Sequence, residues 1–230
     1  SRQSRGLGDV YKRQGLHEGL GSSTTTLYLS LEPAFVRNMN NIPNARTSQA
    51  NALQATQYKP DTAPGMLNDV EVDMDANTFT LVLSKPCDVS TFSAAEMLIQ
   101  DEETVTIVSD NVAIKGNTLS LVDTGLYLLS MEDYRRRITF FFGSTNKNNI
   151  GSIIGLCVLR ENCFMAAKSA FLYDVSGNVF SLPGFERLNA MQASVFTPDR
   201  TSPTLSSWVF DYNTGTMSLN FDESVYAQYL

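Results

Sequence analysis

Asp73, Asp75 and Asn77 stand in the spacing D-x-D-x-N, the pattern with which an oxygen-ligand calcium loop begins. No Gly-x5-Glu continuation follows, and short polar acceptors two residues apart also suit a tight hairpin turn. A second arrangement would draw Asp61 and Asp199 together with Asp73, Asp211 or Asp174. A hard cation needs several oxygen ligands, whereas an aspartate beside a turn equally caps backbone N–H groups. The metal candidates are therefore Asp61, Asp73, Asp75, Asp199 and Asp211; the expectation is that no cofactor is bound, with calcium the one alternative. Arg135, Arg136 and Arg137 form the one basic cluster in the body of the chain. They can grip an anionic glycan, or guard the edge of the apolar strand that follows at 138–142. Cys157 and Cys163 lie six residues apart and can bridge in an oxidising compartment; the alternative is burial as small apolar side chains beside Cys87.

The remaining chemistry is sparse. His17 is the single histidine, which leaves no two-histidine metal site and makes a Cys-His nucleophile implausible. Asp101-Glu102-Glu103 and Glu132-Asp133 are adjacent carboxylates, a pattern of solvated charge rather than of a facing acid/base pair. Walker, dinucleotide, G-x-S-x-G and zinc spacings do not occur. The expectation is a protein that is not an enzyme.

Composition narrows the class further. The chain has 230 residues, 43% hydrophobic and 18% charged, with a formal charge of −7. This is a globular composition with enough length for a real core. The acidic balance argues against a nucleic-acid partner, and no apolar run reaches the roughly 18–20 residues of a helical membrane span. Residues 1–14 are unlike the rest: RGLGDVYKRQ resembles translated sequencing-adapter read-through, and the segment is expected to be an artefact or disordered. It holds four of the 17 basic and one of the 24 acidic residues, so the remainder carries 13 against 23.

The strongest signal is internal repetition. NALQATQYKPD at 51–61 matches NAMQASVFTPD at 189–199 at six of eleven positions, an offset of 138. The match continues as Leu67/Leu205, Asp73/Asp211, Thr78/Thr216 and Leu81/Leu219. Upstream, the segment at 27–41 matches that at 164–178, with Ala34/Ala170 and Phe35/Phe171 offset by 136. The predicted organisation is the end of one repeat at 15–59, a complete repeat at 60–197 and the start of another at 198–230.

The elements that must carry these residues are β. Val70, Val72 and Met74 alternate with polar neighbours, Asp75-Ala76-Asn77 turns the chain, and Phe79, Leu81 and Leu83 alternate again. Trp208, Phe210 and Tyr212, then Asn213-Thr214-Gly215, then Met217, Leu219 and Phe221 repeat the pattern. Trp208 aligns with Val70 and is expected in a core rather than stacked on a sugar. Further strands are predicted at 96–100, 104–108, 118–122, 126–131, 137–142, 170–174 and 191–196, and a short helix at 146–156. Many short strands with frequent turns predict an all-β sandwich.

The string PDTAPGMLNDVEVDMDANTFTLVLSKPCDVSTFSAAEMLIQ, the turn at 145–150 and AFLYDVSGN at 170–178 resemble the tandem Ig-like repeats of large secreted or surface proteins. The likeness covers most of 24–225. It departs from the family pattern at Ser84-Lys85-Pro86-Cys87, and at Asn38 and Asn41, which replace an Asp and a Gly. The resemblance implies Ig-like β-sandwich tandem repeats with a short helix inside the repeat. It also implies an extracellular or cell-surface location and a structural, spacer or adhesive role. The partners would be neighbouring repeats of the same chain, with glycans or cell-surface proteins as ligands if the module binds. The alternatives are a glycan- or protein-binding module, or a non-catalytic segment of a secreted enzyme.

Overall fold

A computed structural model describes residues 23–104, 116–167, 170–181 and 190–226. The predicted strand at 104–108 lies almost wholly outside these residues, as does the segment 1–14. The fold is all-β: short strands in several sheets, with one short α-helix among the described residues. The chain divides into two compact units, Ser1–Ala63 and Pro64–Leu230.

In the first unit β1 (Tyr28–Leu29) pairs antiparallel with β2 (Leu53–Gln54). The second unit holds β3 (Leu67–Asp73), β4 (Thr78–Leu83), β5 (Cys87–Asp88), β6 (Met97–Gln100), β7 (Thr118–Ser120), β8 (Tyr127–Glu132) and β9 (Arg137–Phe141). The helix α1 (Gly143–Gly151) follows, then β10 (Phe164–Ala167), β11 (Tyr173–Asp174), β12 (Met191–Gln192), β13 (Val195–Thr197), β14 (Leu205–Asp211) and β15 (Thr216–Phe221). A five-stranded sheet runs β13-β3-β4-β9-β8 and a four-stranded sheet β12-β10-β6-β7; β5 pairs with β11 and β14 with β15. Only β13 on β3 is parallel among these pairs.

Alternation explains the main core. Val70, Val72, Phe79, Leu81, Ile138 and Phe140 point inward from the five-stranded sheet. They share one buried cluster with Met97, Ile99, Met165 and Ala167 of the four-stranded sheet. Leu67 and Val70 are three residues apart yet both buried. Strict alternation would oppose them, and a β-bulge between Leu67 and Asp69 restores the shared face. Phe79, Phe92 and Phe140 stack within the cluster.

The helix is displaced from its predicted range of 146–156. It starts at Gly143, whose φ of +73° and position 2.7 Å (for an added Cβ) from the Gly125 carbonyl exclude any side chain. Asn146 is fully buried and anchors the first turn: its Nδ2 donates to the Val122 and Phe142 carbonyls at 2.9 and 2.7 Å, and its Oδ1 accepts from Val122 N–H at 2.9 Å. Ile150 is buried, but the chain then tightens into i to i+3 turns through Ile153 and Leu156, and Ile154 is exposed. Cys157 at φ +50° finishes the departure from helix.

The second hairpin reproduces the first bond for bond. Leu67↔Leu83, Asp69↔Val82 and Asp73↔Thr78 recur as Leu205↔Phe221, Ser207↔Asn220 and Asp211↔Thr216, with the bulge in the same place. Asp73 Oδ1 accepts Ala76 N–H at 2.8 Å, as Asp211 Oδ1 accepts Asn213 and Thr214 N–H at 2.8 and 3.3 Å. Asn77 and Gly215 close the turns at φ +57° and +65°. Below the strands, Met66 N–H donates to Ser84 Oγ and Thr204 N–H to Asp222 Oδ1.

Residues 23–57 repeat 159–195 in the same way. Tyr28↔Gln54 and Leu29↔Leu53 recur as Phe164↔Gln192 and Met165↔Met191. Gln54 and Gln192 donate to the Thr24 and Arg160 carbonyls at 3.0 and 3.3 Å. Asn38 Oδ1 accepts N–H bonds from Asn40 and Ile42, as Asp174 Oδ1 does from Ser176 and Asn178. Asn41 at φ +63° takes the left-handed place of Gly177 at +84°. Asn38 and Asn41 thus fill the geometric roles of Asp174 and Gly177.

Asn146→Ala leaves the Val122 N–H and carbonyl without their side-chain partner in the interior and takes one of two donors from the Phe142 carbonyl, which keeps the first helical bond. It should cost about 2–4 kcal/mol in urea unfolding, whereas Ser144→Ala, at an exposed position of the same turn, should stay within about 0.5 kcal/mol of the parent.

Candidate functional site

The structure disperses the carboxylates singled out as metal candidates. Asp73 and Asp211 cap their own hairpin turns. Asp61, in the first unit, accepts Ala63 N–H at 3.1 Å. Asp174 is buried under the turn it caps, with Lys85 Nζ at 3.6 Å. Asp75 and Asp199 alone come to one place, on either side of Thr201: Asp199 Oδ1 accepts its N–H at 3.0 Å and Asp75 Oδ1 its hydroxyl at 3.1 Å. Among the described residues no group of three or more His, Cys, Asp or Glu side chains is placed to hold a metal ion.

The arginine cluster is largely committed to internal pairs. Arg137 forms a two-pronged bond to Glu71 on β3, with Nη1 to Oε1 at 2.8 Å, and has Glu132 at 3.9 Å. The Glu71 hydrogen bonds raise its pKa against the opposing effect of burial. Arg136 pairs with Asp133 at 2.7 Å. Arg135 lies in a turn whose residues 133, 134 and 135 all have φ near +50° to +60°, and its carbonyl accepts Cys87 N–H at 3.1 Å. The expectation that the cluster guards a strand edge is corrected: β9 lies between β4 and β8.

Cys157 and Cys163 form a disulfide across the six-residue spacing. Cys87 is a buried free thiol whose pKa burial pushes up to about 12, so it stays protonated and is a poor nucleophile near neutrality. Trp208 is 62% exposed and Tyr212 91%, which corrects the core placement expected for Trp208. The local register of the hairpin matches β3–β4, but among the described residues no second layer lies over it.

The most developed polar constellation is one that spacing did not mark, the joint between α1 and the segments flanking the β14–β15 hairpin. Lys147 Nζ sits 3.0 Å from Asp199 Oδ2 and 3.0 Å from Glu223 Oε2, with all three side chains largely removed from solvent. Ser224 Oγ donates to the Asn148 carbonyl at 2.9 Å. Asp75 Oδ1 also accepts Arg200 N–H at 3.0 Å. A cleft of about 150 Å³ beside Lys147 is walled by Met74, Ile150, Leu156 and Cys157, well below the several hundred Å³ of an ordinary ligand pocket. Burial opposes the Lys147 charge, but the hydrogen bonds and charges of Asp199 and Glu223 outweigh it and the pKa is raised. The Arg200 N–H and then the Thr201 hydroxyl hold the Asp75 carboxyl below its ordinary value.

Nothing in this joint is placed as a nucleophile with a base. Its lysine is neutralised on two sides, and its carboxylates accept backbone and hydroxyl protons. Its contacts tie the segments flanking β14–β15 to α1 and to the β3–β4 turn. The sequence signal was weak because Lys147 is separated from Asp199 and Glu223 by 52 and 76 residues, a distance no local motif spans. No family model matches the chain, and neither a curated protein nor a solved structure matches it.

A raised lysine pKa means that the joint's contribution is complete below pH 10.5, the ordinary lysine value, and is lost as pH rises through the higher folded value. The Asp75 contribution has the opposite sign, being present above pH 3.8 and lost as pH falls through the lowered value. Anisotropy decay of Trp208, the sole tryptophan, should therefore be constant from about pH 5 to 9 and report a looser hairpin above about pH 10.5. Lys147→Met should show that looseness already at pH 7 and lose about 1–2 kcal/mol of stability.

Proposed function

We propose that the chain is a non-enzymatic structural segment of an extracellular or cell-surface protein. In this reading it is built from tandem Ig-like β-sandwich repeats and serves as a spacer or multivalent array. The observation that carries the reading is the recurrence of individual hydrogen bonds, bulges and left-handed residues at offsets of 138 and 136. Duplicated modules of this size supply reach and many weak contacts without catalysis. The Lys147 joint fits the same role, because a spacer transmits orientation only if the strap between modules is pinned at both ends. Residues 199–201 enter the following hairpin and 222–224 leave it, and both stretches contact α1 or the β3–β4 turn.

The Cys157–Cys163 disulfide favours an oxidising compartment. Glycan binding through the arginines is the weaker reading, since Arg136 and Arg137 already hold carboxylates. On the protein from its natural source, peptide mapping without reduction should recover residues 157 and 163 in one cross-linked species. A membrane-impermeant label should reach the chain on intact cells or in the medium. A cytosolic chain with both thiols reduced overturns the reading. Calcium added at millimolar concentration should leave the melting temperature unchanged, because the candidate carboxylates are committed to turn N–H groups and Lys147; a rise of several degrees would restore a metal-stiffened joint.

A further inference from the structure

We propose that the Cys157–Cys163 disulfide is a redox control on the Lys147 joint. Closed, it holds the wall beside which the β14–β15 hairpin is fastened; opened by a dithiol, it lets that fastening go while the β core stays folded. The inference rests on the reading of the joint as a strap and deepens it by naming what regulates the strap. Cys157 belongs to the joint: with Leu156 and Val158 it walls the cleft whose other sides include Lys147, Asp199, Glu223 and Ser224. Cys163 leads into β10, on the side of the strands. Its carbonyl accepts Ala193 N–H at 3.0 Å, and nearby Arg160 donates Nε to the Ala193 carbonyl at 2.9 Å and accepts Gln192 Nε2 at 3.3 Å. The stretch between α1 and Cys157 has no such ties. Among the described residues the hydrogen bonds of 152–156 go only to α1 and to one another. Beyond the packing of Ile153 and Leu156 on the core, this stretch is therefore joined to the strand side by the disulfide and by the bond of 2.9 Å from Cys157 N–H to the Asn162 carbonyl.

The earlier copy of this region forms the same turn and strand contacts without sulfur. Ser23 N–H to Thr26 Oγ1 at 2.9 Å repeats Leu159 N–H to Asn162 Oδ1 at 2.7 Å. Ala55 N–H to the Leu27 carbonyl at 2.9 Å repeats Ala193 N–H to that of Cys163. At the offset of 136, Leu27 stands in the place of Cys163 and Gly21 in the place of Cys157. The glycine is informative because Cys157 has φ +50°, a left-handed conformation that glycine adopts freely and a cysteine keeps only when held. One copy offers a residue that needs no hold; the other supplies the hold. Reduction passes two electrons and two protons from the dithiol to the two sulfurs, leaving two cysteine thiols and the disulfide of the reductant. Cys157 is then released from the left-handed region, and the wall at 156–158 shifts away from Lys147 and its partners. Under this control the hairpin is fastened only once the chain has reached an oxidising compartment.

The test is anisotropy decay of Trp208 in the full chain. Opening the bridge with dithiothreitol, checked by alkylation and mass, should raise the amplitude of fast Trp208 motion about twofold while the far-UV circular dichroism is kept. Cys157→Ala with Cys163→Ala should match the reduced parent. Cys157→Gly with Cys163→Leu should lie nearer the oxidised parent, because glycine takes the left-handed place unaided. Neither pair should respond to dithiothreitol. Reducing Lys147→Met should add little further motion, because both changes act on one joint. Unchanged Trp208 motion in the alanine pair overturns the control. Loss of the far-UV spectrum in that pair overturns it too, since the bridge then supports the whole fold. Lys147→Met with the bridge intact separates the two readings. If it loosens the hairpin while the alanine pair does not, only the control fails; if it leaves the hairpin as rigid as in the parent, the strap reading fails with it.

Discussion

A two-stranded hairpin with one apolar face is stable only when something covers that face, and the structure is organised by this requirement. In β3–β4 the cover is complete: Val70, Val72, Phe79 and Leu81 are buried beneath the second sheet and the loops around it. Each such side chain contributes about 1.5–3 kcal/mol. In β14–β15 the same backbone, with the same bulge and turn, carries Trp208, Phe210 and Met217 in solvent. Register is therefore specified locally, by the Asp73 or Asp211 cap, the left-handed residue at 77 or 215 and the bulge after Leu67 or Leu205. Cover is specified non-locally. The hairpin shows the two contributions apart, because one copy has both and the other only the first.

This division also explains what could be read from the residues. The hairpins at 67–83 and 205–221, the turn chemistry between their strands and the relation between them follow from alternation and self-comparison, which are local or periodic signals. The placement of Trp208 did not follow, because alternation shows which residues share a face but not whether a second layer arrives. Strand β9 was legible as a strand, whereas its position between β4 and β8 depends on pairings across long separations, and the edge role expected for Arg135 to Arg137 failed there. The helix was found but misplaced. Apolar spacing at 150, 153, 154 and 157 pointed to a later range, while the start is fixed by Asn146 and Gly143 against residues 122 and 125. Lys147 left no local trace because its partners are distant in sequence.

The acidic residues illustrate a further distinction, between charge and acceptor geometry. The D-x-D-x-N spacing suits oxygen ligation of a cation and capping of a turn alike. In the structure the carboxylates serve as acceptors for backbone N–H groups, a role that Asn38 fills as well as Asp174. An asparagine in that role keeps the turn and drops the charge. Turn capping is therefore a sufficient account of why such positions are polar.

Charge becomes informative where it changes while the geometry stays the same. Glu223 follows β15 at the position that Lys85 occupies after β4. Glu223 reaches Lys147, and Lys85 lies near Asp174. The bonds under both hairpins are alike, the side chains of Ser84 and Asp222 each accepting the N–H of the residue just before the first strand, Met66 and Thr204, yet the next side chain has opposite sign and a different partner. A joint built from Lys147, Asp199 and Glu223 therefore requires a glutamate that the other hairpin does not offer. The two hairpins of this chain, alike in register and turn, are thus fastened by unlike ion pairs.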